Sequence, residues 1–245
     1  MKLTRLFQER ALHVHDHMTL DPLTVHRLKS VLRVGKDEPL LLFNGDGFEY
    51  HSIITVMKRD LIQVKITEKT RKNLESPLSI HLGQVISKGE KMDFVIQKAT
   101  ELGVQIITPL FSERSVVHLK EERMAKKQEH WQKIAIHAAE QCGRTVVPQL
   151  QKPMKLEEWV YQQQASLGIV LDPEAKQHLN QIDIPRQAVS VLIGPEGGLT
   201  ERELDFAILK KFTAIQLGPR ILRTETAALT VLSILQFKNG DFNGA

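Results

Sequence analysis

The spacing of apolar and polar positions changes character once along the chain. Over the first 70 residues it reads as short strands. Leu40-Leu41-Leu42-Phe43 is an apolar run that ends in Asn44-Gly45-Asp46-Gly47, and Asn-Gly and Asp-Gly are strong tight-turn signals. The segment from Phe48 to Val56 is rich in strand formers, and Leu61 to Ile66 alternates apolar and polar residues. A helix near Pro22 to Leu32 interrupts these strands, with Leu23, Leu28, Val31 and Leu32 as its apolar positions. Short strands separated by turns predict a small barrel or sandwich.

Thr67 to Pro77 is polar and charged and reads as a linker. Beyond it strands and helices alternate. Ile80–Ile86, Val104–Pro109, Leu167–Leu171, Ala188–Ile193 and Ala214–Leu217 are buried-strand candidates. Lys91–Leu102, Arg123–Gln141, Glu201–Lys211 and Glu225–Lys238 are helix candidates, the first stopped by Gly103. That alternation predicts an α/β domain on a mainly parallel sheet. No internal repeat or low-complexity segment is present.

Composition narrows the function classes. The chain has 245 residues, 42% hydrophobic and 25% charged, which excludes a wholly disordered chain. One cysteine forms no internal disulfide and no CxxC zinc site, so a reducing, cytoplasmic setting is expected. No long uncharged apolar run suggests a membrane span, and the N-terminal residues lack a signal-peptide core. The net charge is +4, and its distribution is uneven. Residues 1–72 carry 13 basic and 9 acidic side chains, while the remainder is balanced. A basic first part beside a neutral one suggests a polyanion-binding module attached to a working domain.

Two segments carry the strongest chemistry. In Val191-Leu192-Ile193-Gly194-Pro195-Glu196-Gly197-Gly198-Leu199-Thr200, a buried strand enters a glycine-rich loop and then a helix that Thr200 and Glu203 would cap as a box. Such a loop at a strand's carboxyl end is the usual ligand position in an open α/β sheet. The spacing is neither the dinucleotide GxGxxG fingerprint nor a P-loop, and a ligand-free tight turn fits the same residues. In Leu217-Gly218-Pro219-Arg220-Ile221-Leu222-Arg223-Thr224, a strand again enters a Gly-Pro turn before a helix, with Thr224 as the expected N-cap. Two arginines in one turn suit a phosphate, a carboxylate or a developing oxyanion, or else ordinary surface salt bridges. Lys88 and Lys91, before the helix 91–102, and Arg114 are candidate phosphate contacts.

Two other features point less far. His13, His15 and His17 would share one face of a strand, but no carboxylate pattern accompanies them and no metal site is expected. Cys142 stands at a helix C-terminus, where the dipole opposes a thiolate, so a nucleophilic role is not expected.

LIGPEGGL (192–199) and LGPRILRTETAAL (217–229) resemble the signature loops of the SPOUT class of RNA methyltransferases. SKGEKMDFVIQKATELGV (87–104), ITPLFSERSVV (107–117), WQKIAIHAAEQCGR (131–144) and HRLKSVLRVGKDEPLLLFNGDG (26–47) are similar to the RsmE family within it. The resemblance covers nearly the whole chain in order. It implies a PUA-like β-barrel over 1–72 that binds RNA, then a SPOUT methyltransferase domain over 73–245 with a C-terminal trefoil knot. It also implies a homodimer, S-adenosylmethionine as cofactor, and methylation of N3 of one uridine in 16S ribosomal RNA of the 30S subunit.

By position, the resemblance places cofactor contacts at Leu171, Ile193, Gly194, Pro195, Glu196, Gly197 and Gly198, then at Leu217, Gly218, Ile221, Leu222, Thr226 and Ala227. Arg220 and Arg223 would stabilise the uridine anion. Glu225 or Glu196 would handle its proton, with pairing of Arg223 and Glu225 across a dimer as an alternative. Arg5, Arg10, Arg27, Lys29 and Arg33 join Lys88, Lys91 and Arg114 as expected RNA contacts. A ribose-methylating SPOUT enzyme and a non-catalytic RNA-binding protein remain the competing readings.

Overall fold

The computed structural model describes residues 3–115, 121–163 and 165–244. The chain divides into two compact units. One holds Met1–Leu74 with Ala139–Val146, and the other holds Glu75–Ala138 with Val147–Ala245.

The first unit has strands β1 (Thr4–Phe7), β2 (His17–Thr19), β3 (Pro39–Phe43), β4 (Phe48–Lys58) and β5 (Leu61–Arg71), with helix α1 (Pro22–Ser30). They form one sheet in the order β1-β3-β4-β5-β2, antiparallel except where β1 pairs with β3. The turn before β4 is built as its residues dictate. The Asn44 side chain accepts from the Asp46 amide at 3.2 Å, Asp46 accepts from the Phe48 amide at 3.1 Å, and Gly45 and Gly47 take positive φ. Asp21 caps α1 by accepting from the Thr24 amide at 3.0 Å, and Pro22 opens the helix. Leu6, Leu28, Leu42, Ile54, Ile62, Val64 and Ile66 fill the core of this unit.

Three expectations for this unit are corrected. Residues 67–71 are not linker but the end of β5, paired with Phe48 to His51 of β4. Two short strands, β1 and β2, lie in segments whose pattern is too brief to read. The three histidines do not share a strand face, because His15 adopts φ 76° and only His17 lies in β2.

The second unit has β6 (Ser79–Val85), α2 (Lys91–Glu101), β7 (Ile106–Phe111), α3 (Glu121–Cys142), β8 (Gln149–Leu150), β9 (Met154–Lys155), α4 (Leu156–Gln162), β10 (Leu167–Leu171), β11 (Gln177–His178), β12 (Ala188–Ile193), α5 (Glu201–Leu209), β13 (Phe212–Gln216) and α6 (Thr224–Asn239). The last four residues of α3 belong to the first unit. Every strand pair in the sheet is parallel, in the order β11-β13-β10-β12-β6-β7-β8, with β9 also on β7. Its central strands are buried on both faces. Ile169 and Val191 pack with α2 and α6, while their neighbours Val170 and Leu192 pack with α4 and α5. A parallel sheet covered by helices requires continuous apolar strands, which is why these runs stand out in the sequence. Val116 and Val117 of the segment 107–117 lie outside the described residues.

Candidate functional site

The carboxyl ends of β10, β12 and β13 open into a cleft of ≈ 610 Å³. Its walls are Leu171 to Pro173 from the end of β10, Ile193 to Glu196 with Gly198 and Leu199 from the end of β12, and Ile215 to Gly218 with Arg220 to Thr224 from the end of β13 onward. Lys91, Leu204 and Ala227 complete it. Loops at this end of adjacent parallel strands form the usual ligand crevice of an α/β sheet.

The loop after β12 folds back on itself. The Gly198 amide donates to the Pro195 carbonyl at 3.0 Å with Gly198 at φ 71°. A Cβ on Gly194 would stand 3.1 Å from Cγ of Leu199, so a side chain there would crowd the return of the loop. Helix α5 then starts as the capping box predicts. Thr200 Oγ1 accepts from the Glu203 amide at 3.2 Å, and the Glu203 carboxylate accepts from the Thr200 amide at 2.9 Å. Glu203 is buried and also accepts from the Glu113 amide at 2.8 Å. Arg114 donates to the carbonyls of Gly197 and Leu199, at 2.9 and 3.3 Å, and so braces the loop from outside.

The loop after β13 crosses the end of β10 to reach that of β12. Thr224 is the point of contact, and its expected role as N-cap is corrected. Arg223 is the N-cap residue, and Thr224 is the first residue of α6. The Thr224 hydroxyl donates to the Gly194 carbonyl at 2.7 Å and accepts from Nε2 of Gln84 at 3.0 Å. Arg220 and Arg223 are exposed and reach the cleft wall. On the third wall, Asp172 accepts from the Glu174 amide at 3.1 Å, and Gln216 donates to the Pro173 carbonyl at 2.6 Å.

Glu196 sits between the cleft and α2. It accepts from Nζ of Lys91 at 2.9 Å and from the Lys88 amide at 3.4 Å. Burial pushes its carboxyl up, but the Lys91 ammonium and the hydrogen bonds it receives outweigh this and hold it below the ordinary carboxylate range.

Of the expected cofactor residues, the structure gathers Leu171, Ile193, Gly194, Pro195, Glu196, Gly198, Leu217, Gly218, Ile221, Leu222 and Ala227 around one cleft. Gly197 and Thr226 do not line it. Gly197 faces Arg114, and Thr226 is exposed on α6. Glu225 does not line it either, and its Oε2 is buried without a hydrogen-bond partner among the described residues. The sequence reading missed Gln216 and Leu204 in the wall, as well as Gln84 beneath it. The only signal for Gln84 is one amide in an apolar strand.

The expected RNA contacts separate. Arg5 is corrected to a structural role. It is 7% exposed, pairs with Glu49, donates to the Arg144 carbonyl at 2.8 Å and stacks on Phe43. Arg27 is half-buried and pairs with Glu140 at 2.8 Å, and Lys29 donates to the Arg59 carbonyl at 2.9 Å. Arg10, Arg33 and Lys88 are exposed. Among the described residues no helix is long and apolar enough to cross a membrane, and no three His, Cys, Asp or Glu side chains cluster as metal ligands would.

Comparison with known proteins places this geometry. Residues 74–236 match the RNA methyltransferase domain family, and residues 25–67 match the RNA methyltransferase PUA domain family. Ribosomal RNA small subunit methyltransferase E of Buchnera aphidicola subsp. Schizaphis graminum is 40% identical over 99% of each chain. A Legionella pneumophila protein described as a methyltransferase, solved with bound SAM, superposes with a TM-score of 0.96 at 40% identity over 99% of this chain and 100% of that one. Ribosomal RNA small subunit methyltransferase E of Neisseria gonorrhoeae, solved with S-adenosyl methionine, superposes with a TM-score of 0.91 at 37% identity over 98% of this chain and 100% of that one. With full-length relatives at this identity and both of its domains matched, the chain belongs to the ribosomal RNA small subunit methyltransferase E family.

Proposed function

We propose that this protein transfers a methyl group from S-adenosylmethionine to N3 of one uridine in 16S ribosomal RNA. The observation that carries the reading is the three-walled cleft at the ends of β10, β12 and β13, in a chain of this family. The residues there fit the cofactor. Leu171, Ile193, Leu217, Ile221 and Leu222 offer an apolar slot for a flat base, and Gly198 and Gly218, both at positive φ, bring bare backbone to the wall. Asp172 and Glu196 bring carboxylates to the cleft that would complement its cationic groups.

When bound, S-adenosylmethionine supplies a methyl group made electrophilic by its sulfonium. The protein's own task is to align the uridine and favour the anionic form of its base. Arg220 and Arg223 are the guanidinium groups on the wall, and a fixed positive charge stabilises a base that has lost its N3 proton. Glu196, held by Lys91 below the carboxylate range, suits holding the wall in shape better than accepting that proton.

In this reading residues 1–72 are the PUA-like, barrel-forming RNA-binding domain and residues 73–245 the SPOUT domain. Arg33 and Lys88 are exposed cations for the RNA, and Arg10 is exposed as well while donating to the Thr19 carbonyl at 3.1 Å. The crossing of segment 217–223 over the end of β10 supports a trefoil knot there. A homodimer working on the 30S subunit in the cytoplasm completes the reading. Its support is the exposed Ile221 and Phe237, together with the unpartnered Glu225 Oε2 on the first turn of α6.

The test is transfer of labelled methyl from S-adenosylmethionine into unmodified 30S subunits and naked 16S RNA, with the product nucleoside identified by mass spectrometry. 3-Methyluridine is the expected product. A 2′-O-methylated nucleoside would replace the base with the ribose as target, and folded protein that neither binds the cofactor nor incorporates methyl would overturn the reading.

A further inference from the structure

Gln84 lies in β6, opposite Ile193 of β12, directly before the glycine loop begins. It is fully buried. Its amide Nε2 donates to the Val85 carbonyl at 3.1 Å and to Thr224 Oγ1 at 3.0 Å, while its Oε1 has no partner among the described residues. The orientation of this amide is settled by chemistry. A carbonyl only accepts, so the NH2 group must face Val85. Nε2 therefore donates to Thr224, and the single hydroxyl proton of Thr224 is left for the Gly194 carbonyl, 2.7 Å away. The hydrogen bonds run one way, from Gln84 through Thr224 to Gly194.

Leaving a buried amide oxygen unpaired is destabilising, because it gives up its hydrogen bond to water and gains none. An apolar side chain of the same shape would avoid that cost, so packing alone does not account for Gln84. Both ends of the chain of bonds are loop anchors. Gly194 begins the loop that turns back through Pro195 and Gly198, and Thr224 ends the loop that crosses from β13. Strand β10 lies between β12 and β13 in the sheet, so no ladder hydrogen bonds join the two loops.

We propose that Gln84 is a positioning residue. Acting through the Thr224 hydroxyl on the Gly194 carbonyl, it sets the separation of the two cleft loops and thereby the affinity for S-adenosylmethionine. It does not line the cleft itself. The inference rests on the cofactor reading above.

The test is calorimetric titration of the full-length protein with S-adenosylmethionine, paired with thermal unfolding without it. Gln84→Met removes the donor and the unpaired oxygen at similar volume. Thr224→Val removes the hydroxyl, and Thr224→Ser restores it. Gln84→Met and Thr224→Val should each raise Kd roughly 10-fold, the worth of about one hydrogen bond. The Gln84→Met midpoint should stay at or above that of the wild type, because an unpaired polar atom has gone. Thr224→Ser should bind within about threefold of wild type, and the double variant should be no weaker than the worse single one, since both act on one relay. Wild-type affinity in Gln84→Met, or a Kd that rises only in step with a falling midpoint, would overturn the proposal. Additive losses in the double variant would overturn it too. Wild-type protein that binds no S-adenosylmethionine would instead sink the cofactor reading, and the relay with it.

Discussion

The Trp159 indole donates its Nε1 proton to Nε2 of His81 at 3.0 Å, with the two rings edge to face. That nitrogen also lies 2.7 Å from Thr108 Oγ1. A ring nitrogen that accepts from indole carries no proton of its own, so folded His81 is neutral. Burial lowers its pKa from 6.5 to about 4, although a hydrogen bond with Gln163 works the other way.

This sets a pH dependence of stability. Between pH 6.5 and about 4 the unfolded chain takes up a proton at His81 that the folded chain refuses. The stability is therefore fully present above pH 6.5 and is lost as pH falls through that window. Unfolding in urea at about pH 7 and about pH 4.5 should show a loss of roughly 2–3 kcal/mol from this group. His81→Gln should lose that much less over the same interval. An equal loss in both proteins would assign the titration to other groups.

Much of the second unit was legible because its strands obey a local rule. The runs 167–171 and, apart from Ser190, 188–193 are apolar at successive positions, as a strand covered on both faces requires. The capping box at Thr200 and Glu203 was legible for the same reason, since its partners are three residues apart. What stayed hidden depends on distant partners. Gly83 looks like an arbitrary glycine in β6, yet a Cβ there would sit 2.6 Å from the Trp159 ring. Arg5 reads as a free cation because Glu49 and the Arg144 carbonyl are remote in sequence. Thr224 reads as a cap because nothing local reveals the Gly194 carbonyl beside it.

The two adjacent glycines of the cleft loop are not equivalent. Gly198 lines the cleft at φ 71°, and a Cβ there meets no atom of the described residues within 4 Å. Gly197 lies off the wall, and its Cβ would make ordinary contact with Arg114 at 3.8 Å. Gly198→Val should therefore fold while its side chain and the strained backbone, costing roughly 1–2 kcal/mol, spoil the cleft. Calorimetry should show S-adenosylmethionine affinity falling at least about 10-fold, against a change of a few-fold for Gly197→Ala. Equal affinities for the two variants would remove Gly198 from the binding wall.

The N-terminal cations should divide in the same way when RNA binding is measured against salt. Arg33 is exposed, so Arg33→Ala should flatten the dependence of log affinity on log salt by roughly one unit. Arg5→Met should leave that slope alone and lower stability instead. Its loss should stay below the roughly 3–5 kcal/mol of a wholly unpaired buried charge, because Glu49 keeps Lys72 at 3.0 Å. An unchanged slope for Arg33→Ala, or a flattened one for Arg5→Met, would reverse the assignment.

Arg220 offers the sharpest separation of binding from chemistry. It reaches the cleft wall from an exposed turn. In the proposed reaction its guanidinium would meet an anion that forms only when the uridine loses its N3 proton. A group that acts on a charge absent from the ground state should change turnover and leave cofactor affinity alone. Arg220→Ala should bind S-adenosylmethionine within about threefold of wild type and lose turnover by on the order of 10²-fold. Arg220→Lys should recover only part of that loss, because an ammonium keeps the charge but not the planar fork that can bind two oxygens. Single-turnover methyl transfer with saturating RNA reads the chemical step directly. A near wild-type rate for Arg220→Ala would leave Arg223 as the guanidinium on this wall to carry the role.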